Sequence, residues 1–367
     1  MRVAALTAER YRALGDAPTR ASALWGALGR QGLDVHIIHP ELTRIQEGRA
    51  KVRHFHPRRS AWRHRYLLSR DSVRYLTDDV ERRLAAAGDV DVILQYQCLF
   101  APGRRRRAPV AIYTDHIYEV TRREYPRWSP LSRRASEEFL AHESETLRGA
   151  DVLLTFSEYT RSAAVEHYGC DPERVHVVGT GANVVVADTT DRRYDQRVAF
   201  FAGYDFVRKG GDVLLKAWPQ VRRSLPDARL RIASLPRAPR LPDGVEWLGT
   251  LTRHELNAAY MDASVFVLPS RFEPFGLVFA EAMGSGLACV ATRTCGVPEI
   301  VLDGETGLLV PVSDPDALAE ALIALLGDPD RARRLGVAAQ ERVLGHFTWE
   351  HVAGRVTTHL KAVVGRP

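Results

Sequence analysis

Residues 265–310 read VFVLPSRFEPFGLVFAEAMGSGLACVATRTCGVPEIVLDGETGLLV, and the succession of residue types here decides how the chain is built. VFVLPS is a short apolar, β-branched run that stops at Pro269 and Ser270, the pattern of a buried strand and its end. Pro274-Phe275-Gly276-Leu277 then opens a helical period, and LACVAT is the next buried strand. Strand, helix and strand in so short a span make a parallel unit, whose ligands sit at the carboxyl ends of the strands. Arg271, Phe272 and Glu273 emerge at that end, so Glu273 is aimed at the ligand side. The first turn of the following helix has N–H groups without intrahelical partners and the positive end of the dipole, which suits an anion. Gly276 lets a ligand approach that backbone closely. Glu281, one to two turns on, is placed to accept two hydrogen bonds from a ribose diol. Either glutamate alone reads as a solvated, dipole-stabilised residue near a helix start; the joint context favours a ligand.

Working outward, FFAGYDFVRKGGDVLL ends a strand at Ala202-Gly203 and puts Arg208 and Lys209 in the glycine-rich turn before the next helix. Two cations on such a turn suit a diphosphate. The second half continues with ARLRIAS, VEWLGT, HELNAAYMDA and DPDALAEALIALLGD, and the first half alternates in the same way through RVAALT, ASALWGALGRQG, DVHIIHP, DVDVILQY, PVAIYTD, ADVLLTFS and RVHVVGTG. The rhythm breaks over residues 184–196, where polar residues replace apolar ones. The expectation is an α/β protein of two Rossmann-like, doubly wound domains facing one another across a cleft, over residues 1–185 and 196–346. A C-terminal helix over 347–365 should pack back on the first domain.

A chain of 367 residues exceeds what one ordinary core supports, and its 45% hydrophobic and 26% charged composition describes a folded protein. The four cysteines form no C-x-x-C pair and lack the neighbours of a zinc site. The opening MRVAALTAERYRALG reaches charge too early for a signal-peptide core, and no run approaches the roughly 20 apolar residues of a membrane span, so a cytoplasmic setting is expected. Asp89-Val90-Asp91, Asp314-Pro315-Asp316 and Asp328-Pro329-Asp330 share the spacing of some metal sites, but they stand at strand starts and helix caps; no metal and no cofactor is expected. Gly179-Thr180-Gly181 and Gly284-Ser285-Gly286 do not complete a dinucleotide turn. The net charge of +6 favours anionic ligands. Arg58, Arg59, Trp62, Arg63, Arg65 and Tyr66, with Arg104 to Arg107, form a basic, partly aromatic surface, read either as a solvated face or as a peripheral contact with an anionic membrane.

Taken together, Arg208-Lys209-Gly210, the Glu273 and Glu281 pair at E-x(7)-E spacing, Gly296-Val297-Pro298-Glu299-Ile300 and Gly304-x-x-Gly307 resemble family 4 of the glycosyltransferases, retaining enzymes of GT-B fold. The resemblance covers the second half and, more loosely, the first. It implies that Arg208 and Lys209 hold a donor diphosphate, Glu281 the ribose and Glu273 the donor-sugar hydroxyls, with backbone N–H groups from Phe275, Gly276 and Leu277. The base would contact the backbone around Leu248, Gly249 and Thr250. Retention would proceed by front-face attack, with the leaving phosphate taking the acceptor proton and cations stabilising the developing charge.

In the first half, VAIYTDHIYEV sets Asp115 and His116 at a strand end, and the family often has a histidine there; His116 is the candidate catalytic contact of that half. Ser157 and Glu158 are read as adjacent to the cleft. The paired-glycine turn usual after the first strand of the family is here RALGDAPTRASALW, with Gly15 alone followed by Thr19, Arg20 and Ser22, and Asn183 stands where an aspartate is usual. The leading expectation is a retaining glycosyltransferase that uses a nucleotide-diphospho sugar. The alternatives are a nucleotide-sugar epimerase on the same fold and, against the absence of a recognised motif, a basic nucleic-acid module.

Overall fold

The computed structural model describes residues 1–8, 19–103, 107–183, 188–190, 192–234 and 237–365. Gly15, residues 104–106 of the basic run and residues 184–187 of the polar stretch lie outside the described residues.

The chain divides into two compact units. The first holds the opening strand, Thr19–Thr180 and the segment from Trp349 onward; the second holds Gly181–Thr348. Each is a parallel six-stranded sheet with helices. The first unit contains β1 (Arg2–Thr7), α1 (Arg20–Arg30), β2 (Asp34–Ile38), α2 (Arg44–Arg53), α3 (Arg59–Leu67), α4 (Arg70–Ala87), β3 (Val92–Tyr96), β4 (Val110–Thr114), α5 (Tyr118–Glu124), α6 (Arg133–Arg148), β5 (Val152–Thr155), α7 (Glu158–Tyr168) and β6 (Val175–Val177). The second contains β7 (Val198–Ala202), α8 (Gly211–Ser224), β8 (Arg229–Ala233), β9 (Val245–Gly249), α9 (Arg253–Asp262), β10 (Val265–Leu268), α10 (Leu277–Gly284), β11 (Ala288–Thr292), α11 (Val297–Ile300), β12 (Gly307–Val310), α12 (Pro315–Leu326) and α13 (Pro329–His346).

Strands β3, β4, β5, β7, β10 and β11 are buried along their whole length. Helices cover both faces of each sheet, so these strands read as unbroken apolar runs with no alternation. The aspartates set aside as metal ligands do local work. Asp314 accepts from the N–H groups of Asp316 and Ala317, and Asp328 accepts from Arg331 N–H, each starting a helix. Asp91 accepts from Arg2 N–H at 2.6 Å and so ties β1 to the start of β3.

Helix α14 (Trp349–Val364) follows the second unit in sequence and belongs to the first. Its apolar stripe, Val352, Val356 and Leu360, is fully buried, and it packs against α1 and β5. Arg30 pairs with Glu350 at 2.8 Å, and Arg355 Nε donates to the Val178 carbonyl at 2.8 Å.

The strand orders decide where a ligand belongs. The second sheet runs β9-β8-β7-β10-β11-β12 and the first β2-β1-β3-β4-β5-β6. In the second, the chain winds outward from β7 to β9 and then returns to the other side of β7 to start β10. The direction of winding reverses between β7 and β10, and there the loops leaving two neighbouring strands diverge and open a crevice at their carboxyl ends. In the first, the same reversal lies between β1 and β3.

Candidate active site

Both loops at the reversal of the second sheet carry the residues singled out from the sequence. The loop after β7 brings Arg208 and Lys209, and the loop after β10 brings Glu273. Lys209 Nζ makes a short ion pair with Glu273 Oε2, and Arg208 Nη1 lies 3.5 Å from the same oxygen. Arg208 Nη1 also donates to the Phe272 carbonyl at 2.8 Å, and the Arg208 carbonyl accepts from Arg271 N–H at 2.8 Å, so the two loops are joined through backbone as well as side chains. Ser270 Oγ is 3.4 Å from Glu273 Oε2. Arg208 and Glu273 are buried, at 7% and 8% exposure; charges so withdrawn from water persist only when paired.

Three glycines make this approach feasible. Gly210, with φ 74°, is so close to the β10 loop that a Cβ would stand 1.9 Å from the Pro269 carbonyl oxygen. Gly203 carries the stem of Lys209 across its bare face, where a Cβ would meet Lys209 Cγ at 2.9 Å. Gly276, with φ 97°, is the N-cap of α10, and a Cβ there would press on Phe279 and on the Glu273 stem.

Glu281 lies in α10 and pairs with Arg253 Nη1 at 3.2 Å. The ring of Phe275 is buried edge-on against Phe347, with centroids 6.1 Å apart, so only its backbone is open to a ligand role. Gly249 ends β9 with φ 68° and open space where a Cβ would stand. The Gly249 carbonyl accepts from Ser234 N–H at 3.0 Å, Ser234 Oγ donates to the Gly203 carbonyl at 2.6 Å, and Thr250 Oγ1 lies 3.5 Å from the Ser234 carbonyl. Gly249 and Thr250 therefore share the carboxyl edge of the sheet with the ionic cluster, two strands from β7.

Sequence reasoning missed the partners that hold these groups. Arg271 grips Asp212 in a two-pronged pair at 2.6 and 2.8 Å. Burial raises the Asp212 pKa, but the hydrogen bond and the charge of Arg271, with smaller contributions from the backbone and Lys216, together outweigh it and the value is lowered. Arg253, the partner of Glu281, had a local signal: it follows Thr252, whose capping box with Glu255 fixes the start of α9.

In the first unit, Asp115 and His116 follow β4. His116 Nδ1 is 3.0 Å from Asp115 Oδ1, Gln97 Nε2 donates to the same oxygen at 3.1 Å, and Arg20 Nη1 lies 3.6 Å from Oδ2. Burial disfavours both charges; for Asp115 it is outweighed by His116 and Arg20, which hold the carboxyl well below its usual range. For His116 the Asp115 carboxylate likewise overcomes burial and raises the imidazole pKa. Both residues line a cavity of about 370 Å³ that also meets Arg63, Trp128 and Glu143. Glu143 Oε2 accepts from Tyr118 N–H at 2.7 Å and from Tyr168 OH at 2.5 Å, and burial pushes its pKa up to about 7 against those two bonds. It was missed, although its place one turn after Phe139 and one before Leu147 sets a carboxylate on the apolar face of α6. Ser157, read with Glu158 as adjacent to the cleft, is the buried N-cap of α7, accepting from Thr160 N–H, and Glu158 pairs with Arg161 at 2.8 Å. Thr19 likewise caps α1.

Comparison with known proteins supplies the name for this arrangement. Residues 18–186 match the model described as Glycosyltransferase Family 4, and residues 195–328 match the model described as Glycosyl transferases group 1. An MMP alpha-(1->4)-mannosyltransferase of Mycolicibacterium hassiacum is 31% identical over 76% of this chain and 72% of its own length. The chain belongs to glycosyltransferase family 4. This family 4 chain is also 35% identical to an alpha-maltose-1-phosphate synthase of Mycolicibacterium smegmatis, over 58% of this chain and 63% of the relative; the match thus spans less than two thirds of that relative. The sucrose-phosphate synthase of Thermosynechococcus elongatus superposes with a TM-score of 0.72 at 22% identity, covering 98% of this chain and 99% of that one. The fold is accordingly of the GT-B type, with two parallel-sheet α/β domains.

Proposed function

We propose that the chain is a retaining glycosyltransferase that takes a sugar from a nucleotide-diphospho donor and passes it to a hydroxyl of a carbohydrate-like acceptor. The observation that carries this reading is the convergence of Arg208, Lys209 and Glu273 where the second sheet reverses, beside the glycine-opened start of α10. A diphosphate there meets two cations, which take up the charge that grows on its oxygen as the sugar leaves. Glu281, braced by Arg253, takes the ribose hydroxyls. Glu273, braced by Lys209 and Ser270, orients the sugar hydroxyls, and the backbone from Phe275 to Leu277 offers N–H donors. Gly249 and Thr250 contact the base. In the first unit His116, whose imidazole pKa the Asp115 carboxylate raises against burial, is the catalytic contact of that half, a hydrogen-bonding partner for the transferred sugar or its acceptor.

Family membership supports front-face transfer, in which the leaving phosphate takes the acceptor proton; on this route the chain needs neither metal nor cofactor. The names of the two relatives above, a maltose-1-phosphate synthase and a mannosyltransferase, support a hexose donor. Titration calorimetry with UDP-, GDP- and ADP-sugars selects the donor, and turnover is then measured on Lys209→Ala and Glu281→Ala. Each charge-assisted contact is worth about 1.5 to 3 kcal/mol, so each variant should bind donor roughly ten- to a hundredfold more weakly. Full turnover in both would remove the assignment. Incubation of donor without acceptor separates transfer from epimerisation, since only an epimerase returns an altered sugar nucleotide.

A further inference from the structure

Among the described residues, three exposed large apolar side chains follow one another along a single helix and its exit: Ile45 at 69%, Val52 at 81% and Phe55 at 64% exposure. Ile45 and Val52 are seven residues apart in α2, hence on one face, and Phe55 continues the line just beyond the helix, its ring edge-on against Trp62 of α3 with centroids 5.5 Å apart. Trp62 is itself pinned by a hydrogen bond from Nε1 to the Lys51 carbonyl at 2.8 Å. The apolar line is thus held up in water by the neighbouring helix.

The charge around it is one-sided. Residues 44–66 contain eight basic side chains and one acidic one, Glu47, a surplus larger than the +6 of the whole chain. Glu47 is occupied by Lys51 at 2.9 Å, Arg53 pairs with Asp71 at 2.9 Å, and Arg65 donates to the Pro130 carbonyl. Arg44, Arg49, Arg58, Arg59 and Arg63 have no carboxylate partner among the described residues. Tyr66, counted with this surface from the sequence, is buried at 9% exposure and does not contribute.

We propose that the α2 face with Ile45, Val52 and Phe55, ringed by these arginines, docks on an anionic lipid surface. Apolar side chains standing among unpaired cations match the boundary between headgroups and acyl chains, where insertion and charge attraction act together. A nucleic acid would use the cations and leave the apolar line in water. The surface also adjoins the cavity of the first unit, because Arg63, His64 and Leu67 of α3 line it beside Asp115 and His116. Docking by this face therefore brings that cavity to the lipid headgroups, which is where a lipid-linked acceptor would present its hydroxyls. The lipid contact stands independently of the proposed transfer reaction, and its test uses neither donor nor acceptor.

The full chain is sedimented with vesicles of phosphatidylcholine, with and without phosphatidylglycerol. Association is expected only with the anionic vesicles and should weaken as salt is added. Arg49→Gln with Arg59→Gln removes about 1 kcal/mol per charge and should lower vesicle affinity about thirtyfold. Val52→Ser with Phe55→Ser removes insertion and should lower it about a hundredfold if both side chains insert fully. Circular dichroism and unfolding midpoint control for the fold, which these exposed sites leave unchanged. A wild-type chain that ignores anionic vesicles, or that binds a DNA duplex and not vesicles, overturns the proposal, as does undiminished binding by the folded Val52/Phe55 variant.

Discussion

Replacing Glu143 by glutamine should change how the stability of the protein depends on pH, with a sign and a size that follow from its surroundings. Glu143 is buried on α6, with Tyr118 N–H and Tyr168 OH both donating to one oxygen. Burial raises its pKa from an ordinary 4.5 to about 7, in spite of those two bonds. Between these values the folded protein keeps a proton that the unfolded chain has released. Stability from this group is therefore fully present below about pH 4.5 and is lost as the pH rises through about 7. At about 1.4 kcal/mol per pKa unit, the loss is about 3 kcal/mol. Glutamine still offers an oxygen to both donors and cannot ionise, so Glu143→Gln should remove the slope. Urea unfolding of both proteins, followed from about pH 4.5 to about pH 8, gives a difference in which the titrating groups that do not interact with Glu143 cancel. The variant should gain on the wild type by about 3 kcal/mol across that range, or roughly 6 to 12 °C in midpoint for a unit of this size. A difference that does not move with pH refutes the argument.

Glu273→Gln should uncouple binding from turnover. Without the carboxylate, Lys209 and Arg208 face a diphosphate with no competing anion, so donor should bind several-fold tighter by calorimetry while turnover falls by about two orders of magnitude; weaker binding would show that Glu273 holds the donor more than it restrains the cations. Gly210→Ala should lower the unfolding free energy, read from the urea midpoint, by about 2 kcal/mol or more, because the left-handed backbone alone costs about 1 to 2 kcal/mol and its Cβ would stand 1.9 Å from the Pro269 oxygen. A midpoint equal to the wild type would mean that this turn is free to move. Asp115→Asn should shift the His116 imidazole titration, read by proton NMR, to lower pH, since that carboxylate is what raises it against burial; an unchanged titration would assign the shift to another group.

The sheets were legible because their inner strands are covered on both faces. VFVLPS, RVAFFAG and PVAIYTD need no partner information to be read as buried strands. The basic turn at Arg208 and the glutamate at Glu273 were each visible as local patterns, but Glu273 and Lys209 are 64 residues apart, and their pairing exists only because β7 and β10 are neighbours. The sequence shows strands in order of appearance and leaves their lateral order open. Helices α2 and α3 were hidden by their charge, since each presents so little apolar surface to the core that no period stands out; α2 buries only Ala50. Glu143 went unread for a related reason: a single carboxylate in a helix is usually solvated, and its burial is decided by Tyr118 and Tyr168, which arrive from α5 and α7.

Helix α14 sets a schedule for the making of this protein. The first unit is split in the chain by the whole of the second, and Ala182 N–H donates to the Phe347 carbonyl at 2.8 Å where the backbone leaves one unit and comes back to it. On a ribosome, everything that Gly181–Thr348 requires has emerged while the face of α1 that will meet Val352, Val356 and Leu360 is still bare. The nascent N-terminal half must therefore wait, with apolar surface uncovered, for α14 to be translated, and a ribosome that stalls within it leaves a chain with one finished lobe and one sticky one.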